Sequence, residues 1–522
     1  MSYSTDKIQA KHIFAILLCL SYFIFVCFAI RHYSFDWPHN DDYENIHWYV
    51  NYFIDHTWSL SDLIARHNGS HLMGFQVIFT VTIFKIFGIS FLNIIYCNII
   101  IISLTALMML LYSRKFFSSS LSYMLLPLLI LIMAFHPVQT NHLTWAFEFG
   151  WFCINFFLIA NVLIVERLRF VGLPLLLLSL LCASFCSAQS AGLWPVAALH
   201  IFLLRDYRFR LPCAALLLGG FIVDVATILI ITPHGEGVLD IKSVSDLLTF
   251  FLSMFGGMFA VRDIAVLVPL GALIFLGSVG FMGQLLLRKQ RSGLDRAIIV
   301  LIFAVICYMA ILVKGRYQNG LPSILAQFHM GPLLVPLLFA LTLKALSLYE
   351  QEPPALRTKA AGLGLVLFLL ASVGVSVPYA LERGRDTLNK EALAMHVMCN
   401  PGYSPYIIEN ANITQGFYAI LMDNFPRLSH LCTDREPASV RPLESLPADY
   451  VSMSENDPAL RAALADLWDV YATHFDLQRA FPPDQAKKML LDLAVTGAKA
   501  GQIYAPEILQ QHVETFKRLR ND

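Results

Sequence analysis

Two acids stand side by side at Asp41 and Asp42, a short way past the first apolar run, with Glu44 just after them. An acid at the edge of lipid can act as a general base, taking the proton of a sugar hydroxyl as its oxygen attacks. Paired acids also suit a divalent cation such as Mg2+ or Mn2+, which would neutralise a departing phosphate. A structural reading competes with both, because Asn40-Asp41-Asp42 is good capping chemistry ahead of an amphipathic helix. The acids lie in a polar insert, Arg31 to His71, that also holds His32, His39, His47, His56, Trp37, Trp48 and Trp58. Acids, imidazoles and aromatic faces at one membrane surface are what a polar, ring-shaped substrate needs. The tryptophans fit sugar stacking or an interfacial belt. His67 and His71 are four apart, so on a helix they would share a face and could share a metal or a phosphate. The intervening Asn68-Gly69-Ser70 favours a turn instead.

A second polar cluster runs from His136 through Asn141 and His142 to Trp145 and Glu148. Glu148 sits among Phe147, Phe149 and Trp151, where an acid is costly unless it is paired or faces a cavity. It could also be an acid favoured by the dipole of a helix N-terminus. Basic groups follow at Arg262 and at Lys314 and Arg316. On an outer surface they would suit a lipid phosphate, which Arg binds in bidentate fashion. The bland alternatives are an Arg262–Asp263 ion pair, and snorkelling for Lys314 and Arg316.

The frame that positions these residues is a membrane one. Of 522 residues, 57% are hydrophobic and 14% charged, and mean hydropathy is +0.61, which excludes an ordinary soluble domain. Apolar runs long enough to cross a bilayer recur from residue 12 to residue 380. The first, His12 to Ile30, lacks a small-residue cleavage site and reads as an uncleaved helix. Formal net charge is zero and no basic patch suggests nucleic acid. No GxGxxG, Walker or nucleophile-elbow pattern occurs, so soluble nucleotide chemistry has no support.

Lys and Arg in short loops set the expected orientation. Lys7 and Lys11, Arg114-Lys115, Arg167 with Arg169, Arg205 to Arg210, Arg288 to Arg291 with Arg296, and Arg357 with Lys359 mark the inside. The expected crossings are then 121–136, 147–165, a hairpin of 171–186 and 190–204 with Gln189 at its outer tip, 211–232, 264–287, 297–315, 329–349 and 360–380. The stretch 73–112 makes one net crossing although it could hold two, and 249–261 is short enough to be re-entrant. The expectation is an all-α polytopic protein with about eleven crossings. Residues 1–380 would form the membrane domain, with a catalytic outer loop at 31–72, and residues 381–522 a mainly helical extracytoplasmic domain. In that domain Leu460, Leu464, Leu467, Trp468, Tyr471 and Phe475 fall at helical spacing, and 485–495 and 507–519 read as further helices. Asn412-Ile413-Thr414 matches a glycosylation sequon. Eight cysteines lie in apolar runs, and the other two, Cys399 and Cys432, suit a disulfide in an extracytoplasmic tail.

This pattern resembles the GT-C class of integral membrane glycosyltransferases. The resemblance covers roughly residues 10–380. One helix precedes a long outer loop with the early acids Asn40-Asp41-Asp42, the second membrane segment ends in Ile86-Phe87-Gly88 close to a third, and His136-Pro137 to Glu148 forms the next outer segment. His67-Asn68-Gly69-Ser70-His71 is a looser form of a stretch found in relatives that decorate surface polysaccharide. Lys314 to Leu321 is similar to a Gly-Arg segment of such proteins, though Gln327-Phe328-His329-Met330 stands where Arg-Tyr is expected. The resemblance implies a multi-pass protein of a bacterial inner membrane that takes sugar from a polyprenyl-phosphate donor. Transfer would go to a glycan or lipid-linked acceptor on the outer face, with inversion, Asp41 or Asp42 as base and an Arg/Lys set on the phosphate. The competing readings are a transporter or flippase, or a polymerase, of lipid-linked saccharides, and a non-catalytic scaffold.

Overall fold

Apolar runs of this length must satisfy their backbone hydrogen bonds within themselves, and a helix does so residue by residue. The computed structural model describes residues 2–34, 36–38, 42–50, 54, 66–67, 71–167, 172–204, 207–231, 244–316, 331–350, 356–399, 464–465 and 468. These are almost all helical: α1 Ser2–Tyr33, α2 Asp42–Tyr49, α3 Gly74–Phe87, α4 Phe91–Ser113, α5 Ser120–Ala134, the single turn α6 Thr140–Leu143, α7 Phe149–Glu166, α8 Gly172–Ser184, α9 Leu193–Leu203, α10 Arg210–Ile231, α11 Val244–Gly256, α12 Ile264–Leu287, α13 Gly293–Arg316, α14 Gly331–Glu350 and α15 Leu356–Cys399. Two short antiparallel strands, β1 Arg66–His67 and β2 His71–Leu72, pair His67 with His71. The two histidines therefore do not share a helical face. Asn68-Gly69-Ser70 joins the two strands.

Among the described residues nine helices are long and apolar enough to cross a membrane, and four apolar helices are shorter. The protein is a polytopic helical membrane protein. The stretch 73–112 divides into α3 and α4. At about 1.5 Å per residue, α3 reaches about 21 Å, short of a hydrocarbon core of about 30 Å. The short segment expected at 249–261 becomes α11 and a 3-10 turn at Gly257–Phe259, packed along α12. Two glycines allow that packing. A β-carbon at Gly271 would lie 1.8 Å from the Leu252 carbonyl oxygen, and one at Gly256 would lie 2.2 Å from that of Leu267. Small residues let membrane helices approach this closely.

Helix ends follow local chemistry. Ser119 accepts from the Ser122 N–H (3.1 Å) and starts α5, and Asp263 accepts from the Ala265 N–H (2.9 Å) and starts α12. Gly88 ends α3 at φ +79°, where a side chain would be strained. Several polar ends meet at one end of the bundle. Glu166, closing α7, takes Lys115 at 3.4 Å, His200 at 3.1 Å and Arg296 at 3.4 Å. Glu350, closing α14, accepts from the Ser118 and Ser119 N–H groups at 3.1 and 2.9 Å.

The chain divides into two compact units. The first comprises Met1–His32, Trp48–Gly88 and Asn93–Gly384, and the second Tyr33–His47, Ile89–Leu92 and Arg385–Asp522. The boundary expected after residue 380 falls inside α15, which runs unbroken to Cys399. In the second unit Trp37, Tyr43 and Ile46 are fully buried, and Leu464 and Trp468 are buried too. Asp36 caps α4 there, accepting from the N–H groups of Phe91 (2.7 Å) and Leu92 (3.1 Å). The expected helices at 485–495 and 507–519, the sequon at Asn412 and Cys432 lie outside the described residues, as does the side chain of Cys399.

Two glycines of α12 make a matched test. Gly271→Ala should lower the thermal midpoint of the purified chain by several degrees, because the new methyl meets backbone. Gly277→Ala, with nothing within 4 Å, should leave it unchanged or raise it slightly through helix propensity.

Candidate functional site

The polar run His136–Glu148 is where helical backbone stops between two spanning segments. α5 ends at Ala134 and α7 begins at Phe149, with only 3-10 turns and α6 between. Turn bonds such as that from the Gln139 N–H to the His136 carbonyl (2.9 Å) satisfy only part of this buried backbone. Side chains supply further bonds. Gln139 Nε2 donates to the carbonyls of Met133 (3.2 Å) and Ala134 (3.1 Å), and the Tyr22 hydroxyl donates to that of Phe135 (3.3 Å). Asn98 Nδ2 donates to the Trp145 carbonyl (3.1 Å). Gln76, buried in α3, uses both ends of its amide: Nε2 donates to the Phe147 carbonyl and Oε1 accepts from the Gly150 N–H (3.2 Å). Only glycine fits at 150, since a β-carbon would lie 2.5 Å from the Cys186 carbonyl oxygen and 2.9 Å from Gln76 Oε1.

Held in this way, the run brings His142 and Glu148 together. His142 Nδ1 lies 2.9 Å from Glu148 Oε2, and both side chains are buried. The dipole explanation for Glu148 is thus incomplete: it stands at the N-cap of α7 but bonds no helix N–H with its side chain, and a histidine faces it instead. The His142 ring leans on Trp151, with centroids 5.9 Å apart. His136 is used differently. Its Nδ1 accepts from the Val138 N–H (3.2 Å), which leaves the proton on Nε2 to reach Ser372 Oγ (3.1 Å). Both ring nitrogens are engaged within the fold. Asn141, next to His142 in sequence, is buried. Gln189, also buried, accepts through Oε1 from the Ser187 hydroxyl.

Arg262 does not pair with Asp263. Its Nη1 lies 2.9 Å from Glu382 Oε1 on α15, while Asp263 is occupied capping α12. The guanidinium lies 5.9 Å from the Tyr379 ring centroid, and that of Arg383 lies 6.0 Å from the same ring. Two cations thus flank one buried phenol, with one carboxylate beside them. Arg262 remains 42% exposed, enough for an anion to reach it. Lys314 and Arg316 close α13, and their side chains lie outside the described residues.

The tryptophans of the first loop are core. Trp48 packs with Met73, Val77, Val81, Trp145 and Phe147, its ring 6.0 Å from that of Phe147, and Trp37 is buried in the second unit. Neither is an exposed sugar platform or a belt residue, because large aromatic surfaces gain most when apolar neighbours enclose them. Asp42 is the first residue of α2, is buried, and accepts from Asn45 Nδ2 at 3.3 Å. Asp41 and Trp58 lie outside the described residues, as do the side chains of Glu44, His67 and His71. Among the described residues no three His, Cys, Asp or Glu side chains form a group fit for a metal ion.

Other polar residues escape a reading by motif. Asp224, deep in α10, accepts through Oδ2 from Ser184 Oγ (2.7 Å) and Trp194 Nε1 (3.1 Å). Gly220 leaves room for that indole, since a β-carbon there would lie 2.3 Å from the ring. Asn155 Nδ2 donates to the Pro332 carbonyl (2.6 Å). Their shared signal is a lone polar residue in an apolar run, which is costly without a partner.

Gln76→Leu should destabilise the chain by about 2 kcal/mol or more, since it leaves two buried backbone groups unpaired. Thermal unfolding in detergent measures this, and the lipid-facing Ile78→Leu should show no comparable loss. No protein-family model, curated protein or solved structure matches this chain.

Proposed function

We propose that the chain is an integral membrane glycosyltransferase of the GT-C kind, using a polyprenyl-phosphate sugar as donor. The observation that carries this reading is the polar break between α5 and α7. There the frame gives up regular helix, recruits amides from α3 and α4, and holds a buried histidine–carboxylate pair. Such groups are expensive in lipid and mark function by default. The basic side chains Lys115 and Arg296, gathered at the end where α4 and α7 stop, set that end toward the cytoplasm by the positive-inside rule. The break, at the far ends of α5 and α7, then faces outward in a bacterial inner membrane, with the N-terminus inside and the 381–522 domain outside.

In this reading the acceptor hydroxyl of a surface glycan or lipid-linked saccharide attacks the anomeric carbon of the donor. The bond from that carbon to the phosphate oxygen breaks, and the configuration inverts in a single displacement. Asp41 or Asp42 takes the hydroxyl proton. Arg262, joined by Arg383 and by Lys314 and Arg316, stabilises the departing lipid phosphate. This reading assigns sugar binding to His136, Asn141, His142, Glu148 and Gln189, and to Glu44, His67 and His71. Cys399 and Cys432 form a disulfide in the outer domain. Asp224 is what a transporter or flippase reading would draw on, but its bonds to Ser184 and Trp194 give it a role inside the frame.

The test is transfer of labelled sugar from a polyprenyl-phosphate donor by membranes containing the full chain. Asp41→Asn and Asp42→Asn, expressed at the wild-type level, should each be compared with the parent, and one of them should lose about 100-fold or more of the rate. Full rates in both would remove the proposed base. Arg262→Gln should raise the donor concentration needed for half-maximal transfer.

A further inference from the structure

We propose that the end of the bundle where α12 stops, α13 starts and α14 stops binds the headgroup of an anionic phospholipid, with Lys344 as its central contact. Lys344 lies in the last third of α14, about 9 Å inside its end at Glu350 at about 1.5 Å per residue. The residue is half-buried, and its Nζ lies 5.2 Å from the centroid of the Phe281 ring on α12. An ammonium within an apolar spanning helix is costly unless it is paired. The face of the ring offsets part of that cost. No carboxylate among the described residues pairs with this lysine. Asp295, the acid whose field reaches it, is already held by Arg288 Nη1 at 3.0 Å and by the Ser292 N–H at 3.0 Å.

Charge around Lys344 is one-sided. Arg288 acts on it as a second cation and is 42% exposed. Lys289 follows in the chain, and Arg291 donates to the Leu285 and Leu286 carbonyls at the end of α12 while keeping its charge. The other acid of this end, Glu166, is engaged by Lys115 and Arg296. A phosphate would supply the missing negative charge. The positive-inside rule sets this end at the cytoplasmic leaflet, where basic pockets between spanning helices suit anionic headgroups. α12 and α14 both pack on α13, and Lys344 joins one to the other over the Phe281 ring. Farther along α12, Leu273 and Leu276 are exposed, so a phosphate held here can lay its acyl chains on apolar surface. That favours a phospholipid over a free phosphate.

Native mass spectrometry of the full chain, titrated in mild detergent with phosphatidylglycerol or with phosphatidylcholine, tests this. One phosphatidylglycerol should bind about fivefold tighter than phosphatidylcholine, the factor that one lysine near a lipid surface supplies. Lys344→Gln should remove that preference. Lys85→Gln, an equal loss of charge from the exposed surface of α3, should keep it. Asp295→Asn removes the competing acid and should tighten phosphatidylglycerol binding several-fold, a gain that a misfolded chain would not give. Equal binding of the two lipids by the parent would overturn the site. So would an unchanged preference in Lys344→Gln, which would leave Lys344 a snorkelling lysine, or no tightening in Asp295→Asn.

Discussion

Inside lipid there is no water to rescue a backbone N–H or carbonyl, and the architecture answers to that constraint. Helices meet it alone. The break between α5 and α7 cannot, and the elements around it supply what is missing. Gln76 brings α3 to Phe147 and Gly150, Asn98 brings α4 to Trp145, Tyr22 brings α1 to Phe135, and Gln139 closes the end of α5. α1 otherwise turns most of its apolar side chains outward, so the Tyr22 bond is a specific anchor for a peripheral helix. The His142–Glu148 pair exists because this scaffold keeps the two side chains 2.9 Å apart.

Packing and charge divide the remaining work. Close helix pairs form where glycine admits backbone, as at Gly256 and Gly271 between α11 and α12, or an aromatic ring, as at Gly220 beside Trp194. Charges gather where helices end. Glu166 ties α4, α9 and α13 to the end of α7 through Lys115, His200 and Arg296, and Glu350 ties the end of α14 to the start of α5. Three cationic or polar partners around a largely buried carboxylate do more than one exposed pair would. Arg262 and Glu382 form a separate and more exposed pair between the start of α12 and α15.

Much of the frame was legible in the sequence because its signal is additive. A run of apolar residues as long as α4 or α12 means the same thing whatever its neighbours are. The four-residue spacing of His67 and His71 did not place them on a helix: they pair across β1 and β2. Partners were much less legible. Asp263 adjoins Arg262 in the chain, yet Arg262 bonds Glu382, 120 residues away, because the helix cap claims Asp263 first. Trp48 stands in a polar insert, yet it is enclosed by residues of α3 and of the 145–147 turn.

By itself the sequence determined that the chain lives in a membrane as a bundle of helices, that polar residues cluster at Asp41–Glu44 and His136–Glu148, and where many helices start and stop. Those properties depend on hydropathy and on side chains within a few residues of one another. Only the tertiary structure decided that Glu148 faces His142, that both nitrogens of His136 are engaged, and that lone polar residues such as Gln76, Asn98 and Asp224 brace other elements. The physical reason is that the cost of a buried polar group is set by its partner, and the partner is brought by packing from elsewhere in the chain.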